Sequence, residues 1–170
     1  GVSRAYFYAK CTRCLYVEIP PEDPEAHPDR LARLRLCLYG TRDAALNWQQ
    51  TLADHLVENG FVRGIGHPSA FHHPTKNVWT LVHGDDYCSA GAPKHLDWLQ
   101  GILEKRYEIK TQRIGKGVDC KGAPKLSEGQ VLNKVVRYTE SGYELEAGLR
   151  HAELVIEQVE LEDSKAVSTP

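Results

Sequence analysis

Val78-Trp79-Thr80-Leu81-Val82-His83-Gly84-Asp85-Asp86-Tyr87-Cys88-Ser89-Ala90 reads as a β-hairpin. Residues 78–82 and 87–90 are two short β-prone runs, and the Gly84-Asp85-Asp86 between them supplies the residue types that a tight turn requires. The stretch predicts antiparallel strands joined at a tip that carries two adjacent carboxylates. Carboxylates so close repel one another unless a cation sits with them. Mg²⁺ takes oxygen ligands at about 2.0–2.1 Å and is commonly held by one or two carboxylates plus phosphate oxygens. A solvated Asp-Asp turn is the other reading, and the stretch alone leaves both open.

Working outward, Pro93 stands where a helix best tolerates proline, in its first turn, and Leu96, Leu99, Leu103 and Tyr107 mark one helical face. Upstream, Ala45, Trp48, Leu52 and Leu56 recur at three- and four-residue spacing, while Arg42, Asp43, Gln49 and Glu58 fall elsewhere. That is an amphipathic helix stopped by Asn59-Gly60. Residues 64–74, rich in Gly, His and Pro, predict a loop. Residues 2–9 and 14–19 are β-prone, and Pro20, Pro21, Pro24 and Pro28 then impose a loop. Residues 33–38 alternate basic and apolar side chains, the period of a half-buried strand.

Downstream, residues 107–114 predict a strand, and the Gly- and Lys-rich residues 115–129 a flexible loop or the seam to a small subdomain. Residues 131–138 and 143–146 predict a hairpin around Ser141-Gly142, and Ala152, Val155, Ile156 and Val159 one face of a last helix. Strands and helices interleave, with antiparallel neighbours. The expected fold class is α+β, an antiparallel sheet with helices packed on one face.

A chain of 170 residues fits one domain with a real core. The 41% hydrophobic and 26% charged content is that of an ordinary soluble globular protein. No apolar run approaches the roughly 20 residues of a membrane helix, so no membrane span is expected. The first residues lack the basic and apolar regions of a secretory signal. The chain does not begin with Met and reads as an excerpt from a longer protein.

Cys11, Cys14, Cys37, Cys88 and Cys120 are odd in number and scattered. They favour reduced thiols in an intracellular compartment, cytoplasmic or nuclear. The net charge of −2 argues mildly against a dedicated nucleic-acid binder. Basic clusters stand at Arg30, Arg33 and Arg35 and at Lys105, Arg106, Lys110, Arg113 and Lys116, each equally readable as a solvated face. Cys11-Thr12-Arg13-Cys14 has C-x-x-C spacing and His72-His73 lies downstream, but a zinc site needs a second pair at matching spacing. Zinc is not expected.

Five segments stand in a telling order: Gly1-Val2-Ser3-Arg4-Ala5-Tyr6-Phe7; Leu38-Tyr39-Gly40-Thr41-Arg42-Asp43-Ala44-Ala45 with Trp48 beyond; His83-Gly84-Asp85-Asp86; Tyr107-Glu108-Ile109-Lys110; and Lys165-Ala166-Val167-Ser168-Thr169-Pro170. In this order they resemble the motifs of copia-type reverse transcriptases. The first resembles the motif that opens Asp-Val and runs to Ala-Tyr/Phe-Phe/Leu, and the second resembles LYGLKQAPRxW. The third stands where the family has Tyr-Val-Asp-Asp, the fourth resembles its F-E-M-K strand, and the fifth its K-P-V-S-T-P ending. Each motif is weak alone. Together they run from residue 1 to residue 170.

The resemblance implies a right-hand polymerase palm over residues 1–114, without the upstream fingers, and a palm-to-thumb or connection region over 115–170. It implies an RNA-directed DNA polymerase within a Pol polyprotein, copying RNA into DNA by two-metal phosphoryl transfer. The cofactor implied is Mg²⁺, or Mn²⁺ in its place, and the partners are an RNA template, a DNA primer and deoxynucleotide triphosphates. Asp85 and Asp86 match the catalytic, metal-binding carboxylates, with Asp85 the direct ligand. Tyr6, beside Phe7, matches the aromatic under the incoming nucleotide's sugar, and Gly40 the glycine that lets backbone approach template and nucleotide. Arg42 matches a basic residue placed for a phosphate contact. Read without the resemblance, Tyr6 is equally a packed strand aromatic, and Arg42 an exposed arginine at a helix start.

The sequence departs from the family pattern at named places. Gly1 stands where the family has the Asp that bridges both metals, His83 replaces Tyr, Gly84 replaces Val and Ala45 replaces Pro. Losing the bridging carboxylate removes several kcal/mol of transition-state stabilisation. Either Gly1 is a boundary accident or the element is a decayed copy, and the alternative function is a decayed, non-catalytic palm remnant with at most weak nucleic-acid binding. A nucleotide cyclase with a similar palm is a third reading, and it calls for a nucleotide-base pocket of its own in place of the 38–48 segment.

Overall fold

The computed structural model describes residues 1–132, 134–147 and 149–159. Two compact units divide the chain, Gly1–Thr111 and Gln112–Pro170.

The first unit opens with a 3₁₀ turn, Ala5–Tyr8. A short antiparallel pair follows, β1 (Tyr16–Glu18) with β2 (Leu31–Arg33). After helix α1 (Ala44–Glu58) come β3 (Val62–Arg63), β4 (Ala70–His73), β5 (Val78–His83) and β6 (Asp86–Ala90), an antiparallel sheet in that spatial order. Helix α2 (Pro93–Glu104) completes the unit's elements.

Along β5, Val78, Thr80 and Val82 are buried while Trp79, Leu81 and His83 are exposed. A strand with one dry face requires that alternation. Register pairs Thr80 with Ser89 and Val82 with Tyr87, so β6 continues the same face. Phe71 and His73 of β4 are buried with it. Trp48, Leu52 and Leu56 of α1 and Leu99 and Leu103 of α2 share one core cluster with Phe71, Val78 and Val82. Trp79, on the opposite face, is 56% exposed. Both helices thus share the core on the buried face of the sheet.

Helix α1 buries Ala44 rather than Ala45, because Ala44, Trp48, Leu52 and Leu56 follow one another at four-residue steps along one face. It ends where expected, with Gly60 at φ 88°, the left-handed conformation a helix stop uses. Pro93 is the first residue of α2, after an extended Ala92.

Several expected elements differ. Residues 2–9 are not a strand: Val2 makes a single antiparallel bridge to Ile109, and Arg4 at φ 52° turns the chain so that Ala5 is fully buried. The expected 33–38 strand lies earlier, at β2. Leu36 makes only an isolated bridge to Lys10 and is 48% exposed, while Cys37 is buried, so the alternation is not expressed. The 64–74 loop contains β4, whose pairing with β5 buries Phe71 and His73. Residues 107–114 make isolated bridges only, at Ile109 and Ile114. The Tyr107 N–H bonds back to the Leu103 carbonyl, which carries the turn of α2 onward and buries the tyrosine.

In the second unit β7 (Glu128–Val131), β8 (Lys134–Thr139) and β9 (Gly142–Ala147) form a three-stranded antiparallel sheet, followed by α3 (Leu149–Gln158). β7 occupies the end of the segment expected to be a loop. Ile114 lies close on it at Gly129, where a Cβ would sit 3.0 Å from Ile114 Cδ1 and the isoleucine would have to give by a few tenths of an ångström. Arg137 spans the sheet, 3.0 Å from Glu128 and 3.3 Å from Glu146. Val155, Ile156 and Val159 of the last helical segment are exposed. The side chain of Ala152 and the whole 165–170 motif lie outside the described residues. Among the described residues all five cysteines are free, and no helix is long and apolar enough to cross a membrane.

Candidate functional site

The hairpin closes at the pair His83–Asp86, leaving Gly84 and Asp85 as its two-residue tip. Gly84 has φ 60° and Asp85 is outside the left-handed region, the sign pattern of a type II′ turn, which wants glycine first. The two tip carbonyls lie beyond the strand ladder, and each finds a donor elsewhere. Trp48 Nε1 donates to the Gly84 oxygen at 2.9 Å, and the Val2 N–H to the Asp85 oxygen at 2.8 Å. The Asp86 side chain is 67% exposed.

Residues 1–3 are held against this tip from the other side. The Ser3 N–H donates to the Glu108 carbonyl at 2.8 Å, and the Lys110 N–H to the Gly1 carbonyl at 2.9 Å. A Cβ placed on Gly1 would fall against Asp86 Oδ1, with the Asp85 carbonyl at 3.3 Å and Asp86 Cγ at 3.6 Å. The side-chain direction of position 1 therefore points at the Asp86 carboxylate and the Asp85 backbone carbonyl.

A second group forms around Tyr39. Tyr6 stacks on it with ring centroids 4.3 Å apart, and Phe7 meets it edge-on at 5.7 Å. Tyr39 and Phe7 are 48% and 40% exposed, so the cluster is open to solvent. Gly40 follows at φ 86°, with open space where a Cβ would be. Arg42 is exposed, beyond a turn in which the Thr41 hydroxyl donates to the Leu38 carbonyl at 2.8 Å. Of the residues singled out from sequence, the fold thus joins Asp85 and Asp86 to position 1, and Tyr6 and Phe7 to the Tyr39-Gly40 corner. Tyr39 was missed, although an aromatic directly before the turn glycine was the signal available.

Beneath the tip, Trp48 meets the edge of Tyr107 at 5.3 Å and lies 6.4 Å from Tyr8, whose hydroxyl accepts from the Glu108 N–H at 3.0 Å. Burial pushes the Tyr107 phenol up to about 12. Burial also holds His55 below the usual histidine range, since its ring is enclosed between α1 and α2.

A hard cation needs few protein carboxylates if water or phosphate oxygens complete its shell. Asp85 and Asp86 are the adjacent carboxylates of the tip that could supply them for one ion. Two ions clamped together call for a further carboxylate, and among the described residues no three of His, Cys, Asp or Glu gather as a metal cluster. Cys11 Sγ is engaged with the Arg13 carbonyl at 3.2 Å. His72 and His73, adjacent on β4, point to opposite faces: one stacks on Trp79 at 4.1 Å, the other is buried beside Trp98 at 5.1 Å.

Over 120 residues, 68% of its length, the chain is 29% identical to the Transposon Ty1-DR1 Gag-Pol polyprotein of Saccharomyces cerevisiae. Against the Transposon Ty1-DR4 Gag-Pol polyprotein of the same organism the identity is 35% over 119 residues, again 68% of the chain. This chain is homologous to part of a Ty1 Gag-Pol polyprotein. A shorter match to the Transposon Ty1-NL2 Gag-Pol polyprotein reaches 37% over 57 residues, 34% of the chain and 3% of that relative. The chain spans 6% and 7% of the lengths of the Ty1-DR1 and Ty1-DR4 polyproteins. No family model matches it. No solved structure matches it.

Proposed function

We propose that this chain is the right-hand polymerase palm of a copia-type reverse transcriptase, a segment of a Pol polyprotein that copies an RNA template onto a DNA primer. Residues 115–170 would be its palm-to-thumb or connection region. The observation that carries the reading is the convergence on Asp85-Asp86 of position 1, which stands far away in sequence and where the family motif has its leading Asp. Similarity to Ty1 Gag-Pol polyproteins supports the polyprotein setting.

Asp85 and Asp86 are the residues that would hold Mg²⁺ or Mn²⁺. When bound, the ion supplies charge stabilisation to the attacking and leaving oxygens of a phosphoryl transfer. The protein's own part is positioning. Tyr6, stacked on Tyr39 with Phe7 alongside, makes a shelf for the sugar and base of a deoxynucleotide triphosphate. Gly40 leaves backbone exposed to a close approach, and the exposed Arg42 would contact a triphosphate or template phosphate.

Gly1 favours a second reading for the chain as it stands, a folded palm remnant without catalysis. An Mn²⁺ titration followed by electron paramagnetic resonance tests the metal assignment. Gly1→Asp should tighten Mn²⁺ binding about tenfold or more, as a third anionic oxygen ligand should, and Asp85→Asn should abolish binding. Equal affinity in all three proteins would remove the assignment.

A further inference from the structure

We infer that Trp48 is a positioning residue for the turn that carries Asp85 and Asp86, acting through its indole N–H. Trp48 is fully buried in α1, in line with Leu52 and Leu56 on the same face. Beyond the bulk those two supply, Trp48 adds ring contacts with Tyr8 and Tyr107 and, unlike them, a hydrogen-bond donor. Buried indoles need an acceptor, and this one takes the Gly84 carbonyl at 2.9 Å.

That carbonyl sits at a decisive point. The ladder ends at His83–Asp86, so neither tip carbonyl has a cross-strand partner. The Gly84 oxygen belongs to the peptide plane that leads into Asp85. Fixing that plane restricts the direction of the Asp85 side chain, and of Asp86 one residue on. Val2 fixes the next plane through the Asp85 oxygen. Trp48 is itself held by the edge of the Tyr107 ring at 5.3 Å, and Tyr107 is buried. The carboxylate turn is therefore clamped to the helical layer by one side-chain bond. The consequence for metal binding rests on the proposed function; the clamping of the turn does not.

Two measurements on the full chain test this, and neither needs catalysis. In the wild type, the Trp48 indole N–H should exchange with deuterium far more slowly than that of exposed Trp79. Replacing Trp48 with β-(3-benzothienyl)alanine, which keeps the shape and removes the N–H, should speed exchange of amides 83–87 about fivefold, the factor an ordinary net hydrogen bond carries. Amides of α1 should change little. Trp48→Phe provides a second variant, and Leu52→Ala a control that loosens the core without touching the N–H. Equal exchange of the two indoles would overturn the inference. So would a variant profile that matches Leu52→Ala. Mn²⁺ titrated alone separates this inference from the functional reading. Binding weakened severalfold by the Trp48 variants and lost in Asp85→Asn supports both. Binding indifferent to Asp85→Asn defeats the metal reading, and the exchange data still decide the clamp.

Discussion

Lowering the pH below about 6.5, the ordinary histidine value, should weaken this fold through His55. His55 is 8% exposed, and its Nε2–H donates to the Ile102 carbonyl at 3.2 Å. Nδ1 is then bare and accepts from Arg106 Nη1 at 3.2 Å. Ile102 needs this partner: its usual backbone donor, the Arg106 N–H, goes instead to Leu103 at 3.1 Å. The other groups facing the ring are Glu58, 3.6 Å from Arg106, and the Tyr107 ring at 5.4 Å. Protonation would set a second N–H against the Arg106 guanidinium at the edge of the core.

Burial lowers the His55 pKa, so below 6.5 the unfolded chain takes up its proton before the folded one does. Stability then falls with falling pH, by at most about 1.4 kcal/mol per pH unit for one proton, and levels off below the folded pKa. His55→Phe keeps an aromatic ring but leaves the Ile102 carbonyl unsatisfied, which should cost about 1–3 kcal/mol at pH 7.5. Urea denaturation of both proteins across pH 5–7.5 is the assay. The variant should start lower and lose part of the acid dependence. Identical pH slopes in the two proteins would refute the reasoning.

Tyr107→Phe should be neutral or stabilising by up to about 1 kcal/mol, because among the described residues the buried Tyr107 hydroxyl has no hydrogen-bond partner. Ultraviolet titration should show one phenol ionising near pH 12 in the folded wild type, absent from the variant. Since the unfolded phenol ionises near 10, the wild type should also lose stability between those values as pH rises, and Tyr107→Phe should lose less. Gly84→Ala meets open space, so its cost is backbone strain at φ 60°, about 1–2 kcal/mol by urea midpoint. An unchanged midpoint would mean that the tip does not hold that conformation.

The parts of this fold that the sequence discloses are those whose side-chain pattern is also their burial pattern. Trp48, Leu52 and Leu56 recur at helical spacing and are buried on one face of α1. In β5 the strand and its Gly84 turn are legible but the dry face is not, because Thr80 is buried while Trp79 and Leu81 are exposed. Elsewhere tertiary contacts override the local pattern. The 2–9 run is β-prone, yet one left-handed residue, Arg4, diverts it into a 3₁₀ turn. β4 hides in a Gly, His and Pro context because His73 is buried by neighbours distant in sequence, Phe61 and Trp98. The adjacent Asp85 and Asp86 are plain in the sequence. The approach of position 1 and the Trp48 bond to Gly84 are not, since neither leaves a mark in spacing.

The central claim is that Asp85 and Asp86 are polymerase carboxylates lacking the partner expected at position 1. Single-turnover extension of a DNA primer on an RNA template tests it most directly. The chain as it stands should extend nothing at any practical Mg²⁺ concentration. A polyprotein segment that includes upstream fingers and carries Gly1→Asp should give Mg²⁺-dependent extension, and adding Asp85→Asn should abolish it, because an amide poorly replaces an anionic ligand to a hard cation. Extension by the unaltered chain would contradict the ligand count, and extension that survives Asp85→Asn would contradict the catalytic assignment itself.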